Sequence, residues 1–571
     1  MPSLASPDLE PHSIETASLA QRLPRHRVIA GVVSGLALWM SFPPVAWSGL
    51  AWIALVPLFW LVILKGSPWK SYLAAWCGGL VFWLLAVEWV RMSDPSAWLG
   101  WLLMALFFSL WWPGFLGLAR WAIFRLQIPL LLAAPVIWVG LEYVRAYVLT
   151  GFPWYYLAHS QFRQIYLIQV ADLTGSLGIS LLIAIVNAMV VDLLTLPLFY
   201  TTSTGTRLRP RQHIRLCLVT ILVGTTLCYG AFRVSTAVFR DGPKLALLQS
   251  NIEQRHKVKG DPAAIRTKLM GLVERALAHN ERPDLIVWPE TAYPYRYIAI
   301  DPSVDAETLE NQVRSISAKI TPAEWLKAQA VVADDLHDLT AKANVPMLVG
   351  SIYYHHRKPS FEKYNSALLL RPGFSGIDFY HKMHLVPFGE YVPFIETLPW
   401  LSILTPYHGQ RVPSLSFGHD PRCLRLGNYV LAVTICFEDT VPQVIARFFP
   451  NDGNDGAPDV LINLSNDGWF HGSAELDMHL ANGVFRAVEH RVPVARAVNT
   501  GLTALVDGNG EIRAVLPKES DGVLSVTVPL DDRRSPYSRL GDWLGLSCLA
   551  VTVGLVPIGI IGIPGRFRPQ N

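Results

Sequence analysis

The chain has 571 residues, of which 16% are charged and 51% hydrophobic, and a mean hydropathy of +0.31. A soluble protein of this size is not that apolar, so part of the chain belongs in a bilayer. The formal net charge is only +4, and the basic residues cluster beside apolar runs, a pattern of membrane topology that excludes a nucleic-acid surface.

Residues 1–24 are polar and read as a cytoplasmic tail. Arg25 and Arg27 then precede "VIAGVVSGLALWMSF". That run has no small-residue cleavage site and continues into more apolar sequence, so it reads as an uncleaved first span, not a signal peptide. Further runs near the roughly 20 residues a bilayer demands follow at about 50–64, 72–92, 98–119, 128–149, 168–199 and 215–233. An eighth stands at about 542–563. Alternate loops carry Arg25 and Arg27, Lys65 and Lys70, Arg120 and Arg125, Arg207, Arg209, Arg211 and Arg215, and lastly Arg566 and Arg568; the other loops hold few positives, Arg91 and Arg163. The positive-inside rule then puts both termini in the cytoplasm and the polar region, about 240–535, outside.

That outer region alternates short apolar strands with helical stretches. Strands are expected at 244–252, 284–290, 345–354, 364–370, 429–438, 459–467 and 492–499, several buried on both faces. Helices are expected at about 262–279, 322–343 and 474–490, "DGNGEI" (507–512) is a turn between two further strands, and "NDGNDGAPD" (451–459) is a surface loop. The pattern implies a layered α/β domain with a covered sheet.

Polar residues stand where buried strands run out: Glu290 after "DLIVWP", Cys436 after "VLAVTI", and Asn466 with Asp467 after "DVLINLS". Strand ends are where layered α/β folds bind ligands. "YHKMHLVPFGEYVPF" (380–394) adds Lys382 and Glu390 in a loop with no core to fill. A cysteine becomes a nucleophile when a cation favours its thiolate or a base takes its proton. Lys382 and Glu290 offer both, with Glu290 desolvated between Trp288 and Tyr293 and its proton affinity raised. Lys382 and a backbone N–H beside Cys436 would meet the oxyanion. Against this stand blander readings: Cys436 as a small buried hydrophobe, a Cys423–Cys436 disulfide, and Lys382 as a solvated loop cation. The six cysteines show no disulfide framework and no CxxC spacing, and His381 and His384 have no third ligand beside them, so neither a metal nor a cofactor is expected.

"WPETAYP" (288–294), "HKMHLVPFGEYVP" (381–393), "ICFED" (435–439) and "LINLSNDGWF" (461–470) together resemble the Glu-Lys-Cys motifs of the nitrilase superfamily. More closely, they resemble its membrane branch, the apolipoprotein N-acyltransferases of bacterial envelopes. "EYVRAYVLTGFPWYYLAHSQ" (142–161), "QSNIEQ" (249–254) and "ANGVFRAVEHRVPVARAVNTG" (481–501) are similar to further family segments. The resemblance implies Glu290 as general base, Lys382 as oxyanion stabiliser, Cys436 as the acylated nucleophile, Glu390 as the carboxylate orienting the lysine, and Glu438 lining the site. It implies an eight-span helical membrane bundle carrying an extracytoplasmic nitrilase-like αββα sandwich. The domains are then 25–240 with seven spans, 241–535 as the catalytic domain, and 536–571 with the eighth span and a cytoplasmic tail. The expected partners are a phospholipid acyl donor, the diacylglyceryl cysteine of an apolipoprotein as acceptor, and the inner-membrane bilayer, with the enzyme a monomer. Lys257 and Val258 stand where the family often has an aromatic residue, and Phe437 where it often has tyrosine, so a gating aromatic must come from elsewhere, Trp469 being one choice. Two rivals are a nitrilase-type amidohydrolase on a membrane anchor and a transporter with a periplasmic ligand-binding domain. One span would serve the first, and the few in-span charges, Glu88, Glu142 and Arg145, lie toward interfaces and disfavour the second.

Overall fold

The computed structural model describes residues 26–561 apart from 95–96, 203–204, 374–375, 405–413 and 450–455. The 1–24 tail, Arg25, Arg566, Arg568 and most of the expected 451–459 loop lie outside the described residues.

The apolar runs of the N-terminal half fold as helices: α1 (Arg27–Met40), α2 (Val56–Ile63), α3 (Pro68–Ala86), α4 (Ala97–Ser109), α5 (Trp111–Arg120), α6 (Leu130–Arg145), α7 (Ser176–Thr195) and α8 (Pro210–Ser235). Among the described residues, three helical stretches suffice by length and composition to cross a membrane: Ala97–Arg125, Ser176–Thr195 and Pro210–Ser235. The α1–α3 contact is close because it has no side chains in the way: a Cβ on Gly35 would lie 2.2 Å from the Gly78 carbonyl oxygen. Small residues let helix backbones approach in this manner where no hydrophobic effect drives them together.

The run expected as one long span at 168–199 is broken. Short turns at Ile165–Ile168 and Ala171–Thr174 precede α7, and Gly175 takes φ +65°, a left-handed value that ends one helix before the next begins. Asp172 lies wholly buried in the break, where Arg491 and Arg233 both reach its carboxylate (2.6 and 2.8 Å).

The second half is a sandwich of two sheets. Its strands are β1 (Phe239–Gln249), β2 (Leu285–Val287), β3 (Tyr297–Ile300), β4 (Met347–His356), β5 (Phe361–Leu370), β6 (Asp378–His381), β7 (Leu424–Leu426), β8 (Tyr429–Ile435), β9 (Val460–Ser465), β10 (Val494–Val498), β11 (Ala504–Val506), β12 (Ile512–Val515) and β13 (Gly522–Asp531). The first sheet runs β13-β1-β2-β4-β5-β6 with β3 paired to β4, the second β12-β11-β10-β9-β8-β7. Alternate residues take opposite faces, as the period of two requires. Leu245, Leu247, Leu285 and Val287 join the core shared with Leu431, Val433 and Leu461 of the second sheet. Ala246, Leu248 and Ile286 pack instead with Leu269, Leu272 and Leu336, which belong to helices α9 (Pro262–Leu277) and α11 (Pro322–Ala343). Helix α10 (Ala306–Ile316), capped by Asp305, was not expected; it forms a small core with β3 through Leu309, Val313 and Ile298.

Helix α12 (Ala474–His490) covers the other sheet, and α13 (Trp543–Ile561) closes the described chain. Every residue of α12 from Glu475 to His490 except Asp477 is buried, most of the charged ones included. One face lies on the second sheet and the other against the helical half, where Ser176 N–H donates to Glu489 (2.9 Å).

Candidate active site

Parallel pairing sets the site. β8, β9 and β10 run in one direction with Ile435 opposite Leu464 and Ser465 opposite Val498, so three strands end at one edge. Strands of the first sheet end there too: Asn251 N–H donates to the Asn499 carbonyl (2.7 Å), and Ser250 to its side chain (2.6 Å). Such an edge is the ligand crevice of a layered sheet.

Cys436 is the first residue beyond β8, and it opens a tight helical turn with φ +54°. Thr291, next to Glu290, and Phe388, between Lys382 and Glu390, also have positive φ (44° and 63°). Left-handed backbone at non-glycine residues costs about 1–3 kcal/mol each and gathers where a site fixes its side chains. Glu290 is brought close by a second device. A Cβ on Gly350 of β4 would stand 2.2 Å from the Pro289 carbonyl oxygen and 2.8 Å from the Glu290 Cα, so only glycine lets the loop lie on the strand.

Lys382, 1% exposed, extends its ammonium between two carboxylates, 2.8 Å from Glu390 and 3.6 Å from Glu290. Asn365 ties the same carboxylates together, donating its amide to Glu290 (2.7 Å) and Glu390 (3.1 Å). Val386 N–H supplies a further bond to Glu390 (2.8 Å). Burial alone would lower the lysine's pKa, but Glu390, Glu290 and a Cys436 thiolate outweigh it and raise it, so Lys382 is a permanent cation. Burial pushes the Cys436 thiol well above its ordinary value, Glu290 adds to the rise, and Lys382 only opposes it. Lys382 thus favours the thiolate, as expected of a neighbouring cation, but burial and Glu290 outweigh it. A thiol held up in this way needs a base to remove its proton, and of the carboxylates that act on it Glu290 acts most strongly. The aromatic cage expected around Glu290 does not form: Trp288 and Tyr293 pack into the helix-side core, and Glu290 faces Asn365 and Lys382.

Glu438 is a brace in this site. Its carboxylate accepts from Tyr380 (2.9 Å), Met383 N–H (2.6 Å), His384 N–H (2.9 Å) and Ile435 N–H (2.8 Å). It thereby fastens the Lys382 loop to the nucleophile's strand. Burial brings it up to about 7. Cys423 and Cys436 are both free thiols, which removes the disulfide reading. Phe437 is stacked between Trp154 and His384, at 6.4 and 5.7 Å. The aromatic beside the nucleophile therefore comes from the loop after α6.

Beneath the site lies an ion network of which only Asp467 stood out in the sequence, since its members are scattered over the turns after β8 and β9, β10 and α12. His479 faces Asp439 through Nε2 (2.8 Å) and Asp467 through Nδ1 (3.2 Å), and Arg496 pairs with Asp439. Asp467, Glu475 and His479 lie close enough to suit a metal. Burial and Arg496 would lower the imidazole's pKa, yet Asp439 and Asp467 raise it to about 10, which suits an imidazolium held between two carboxylates. The network holds the turn after Cys436 against the end of β9.

Comparison with known proteins agrees with this arrangement. Residues 34–189 match the apolipoprotein N-acyltransferase N-terminal domain, and residues 244–536 match carbon-nitrogen hydrolase. The apolipoprotein N-acyltransferase of Geobacter metallireducens is 33% identical over 543 residues, 92% of this chain and 94% of the relative. The chain belongs to the apolipoprotein N-acyltransferase family. Members from Rhodopirellula baltica and Chlorobaculum tepidum are each 29% identical over 558 residues, covering 91% and 94% of this chain and 95% and 96% of their own. Family membership thus spans both the helical half and the sandwich, and the carbon-nitrogen hydrolase domain fits cysteine-based acyl transfer.

Proposed function

We propose that the chain moves an acyl chain from a membrane phospholipid, through a thioester on Cys436, to the N-terminal amine of a diacylglyceryl cysteine on an apolipoprotein. The observation that carries the reading is the meeting of Cys436, Glu290 and Lys382 at strand ends that Trp154, from the helical half, directly overhangs. Glu290 takes the thiol proton as sulfur attacks the ester carbonyl. Lys382 and the N–H groups of the turn after Cys436, free of intrahelical partners, meet the oxyanion. Collapse expels the lysophospholipid, whose oxygen takes the proton back from Glu290. The acceptor amine then attacks the thioester, gives a proton to Glu290, and the Cys436 sulfur leaves and is reprotonated. Glu390 and Asn365 hold Lys382 and Glu290 in register throughout.

The architecture suits two lipid substrates. Drawing acyl chains into water costs about 0.8 kcal/mol per CH₂, so the thiol must open against the bilayer. Eight spans with both termini in the cytoplasm and the sandwich outside, acting as a monomer in the bacterial inner membrane, supply that geometry. The loop arginines and lysines support this orientation, and the apolar side chains exposed on α8 and α13, among them Leu218, Ile221, Leu546 and Val553, are suited to lipid. An anchored amidohydrolase would need neither. The test is the purified chain in proteoliposomes with phospholipid and a synthetic diacylglyceryl-cysteine peptide. Mass spectrometry should find the peptide heavier by one acyl chain, with equal lysophospholipid. Release of free fatty acid with an unmodified peptide would favour hydrolysis.

A further inference from the structure

One charged group beside the thiol has no part in that scheme. Lys257, in the short helix Gln254–Lys259, is half-buried and donates to the carbonyl of Glu290 itself (2.7 Å). It lies within electrostatic reach of both Glu290 and Cys436. Its neighbours Glu253, Arg255 and His256 lie at or near the surface, so its helix forms the rim of the crevice.

Charge balance gives the group a purpose. Two carboxylates, Glu290 and Glu390, face one ammonium, Lys382, which is buried between them and is committed to the reacting carbonyl oxygen. That trio is net negative and repels an anion. A phospholipid presenting an acyl ester to Cys436 brings its phosphate along, because only the glycerol backbone separates the two groups. We infer that Lys257 is a donor-recognition residue: its ammonium, anchored on the Glu290 carbonyl at the rim, binds the anionic phosphate of the phospholipid while the ester lies at Cys436. The inference rests on the function proposed above. An ammonium has three donors, so two remain for phosphate oxygens after the carbonyl is met. Burial holds Lys257 down to about 8, against the pull of Glu290 and Cys436. Phosphate recognition is therefore strongest below that pH and fades above it.

The test compares single-turnover acylation of Cys436 by dipalmitoylphosphatidylglycerol and by dipalmitoylglycerol, which carry the same esters and differ in the phosphate headgroup. The wild-type chain should favour the phosphate-bearing donor in kcat/KM. Lys257→Met should cut that preference by about tenfold, about 1.4 kcal/mol, mainly through KM, since it removes a charge-assisted hydrogen bond to the phosphate. Lys257→Arg should keep the preference, and keep it above pH 8, where the wild type loses it. Lys268→Met, a nearby exposed lysine on α9 that reaches the Asn251 carbonyl (3.3 Å), should leave the ratio as it was. Equal losses with both donors in Lys257→Met, or none with either, would overturn the inference and leave the function standing. A wild-type chain that acylates Cys436 from neither donor would overturn the function itself and this assignment with it.

Discussion

Asn365 shows what a single side chain decides in this site. Its amide donates to Glu290 at 2.7 Å and Glu390 at 3.1 Å, while its backbone carbonyl accepts from Lys382 N–H at 2.9 Å. Asn365→Asp keeps size and shape but sets a third carboxylate against the other two, and like charges in a buried site displace one another. Acylation of Cys436 should fall about 10²-fold or more, the scale of losing a placed general base, with little change in thermal stability; unchanged acylation would mean that the amide merely fills space. Glu290, Lys382, Cys436 and Glu390 stood out in the sequence because each ends an apolar strand or sits in a loop without a core, but it was the resemblance of the surrounding motifs to a family that set them above blander readings. Asn365 did not stand out. In "YNSALLL" a polar residue early in a strand reads as the solvent side of an alternation, and nothing local tells that this side faces a crevice.

At the scale of elements, the strands and helices of the sandwich follow their periodicity: α11 and α12 begin and end at the expected 322–343 and 474–490. The strands that were read too long, 284–290 and 429–438, stop at Val287 and Ile435 because their polar ends turn away into the site. Periodicity also leaves open what covers the polar face of α12. That answer lies three hundred residues away, in helices that bury it. Gly350 offers the sharpest test of an element's geometry. In Gly350→Ala the new methyl meets backbone atoms of Pro289, Glu290 and Thr291 at under 3 Å, and backbone cannot yield as a flexible side chain does. The Glu290 loop must lift off β4. Acylation should drop at least 10²-fold while the secondary structure, followed by circular dichroism, persists. An active Gly350→Ala enzyme would show that Glu290 need not lie where this strand holds it.

For the whole molecule, the junction between the helical half and the sandwich is a buried polar clasp. Arg491, at the left-handed C-terminal cap of α12, donates to Asp172 (3.0 and 2.6 Å), to the Gln169 side chain (2.6 Å) and to the Gly508 carbonyl (3.0 Å), all without solvent. Hydropathy alone reads the same region as one uninterrupted span at 168–199, since a single aspartate hardly lowers an apolar average. Removing one partner of a buried pair costs about 3–5 kcal/mol. Arg491→Met should sit at the low end, because Arg233 still reaches Asp172. Melting in detergent should fall accordingly, and Asp172→Asn in the Arg491→Met background should recover part of the loss. Full stability in Arg491→Met alone would show that the halves are held by apolar contact.

The clasp fixes the sandwich with its strand ends toward Trp154, and the mechanism stands on what happens there. The most direct measurement is mass spectrometry of Cys436 after mixing the intact chain with phospholipid alone, without acceptor. The wild type should accumulate one acyl chain as a thioester on Cys436. Lys382→Ala should form none on that timescale, and Lys382→Arg should not rescue it, since a planar guanidinium does not fit a slot shaped for a compact ammonium between two carboxylates. Lys382→Ala acylated on Cys436 at the wild-type rate would contradict the account at its centre.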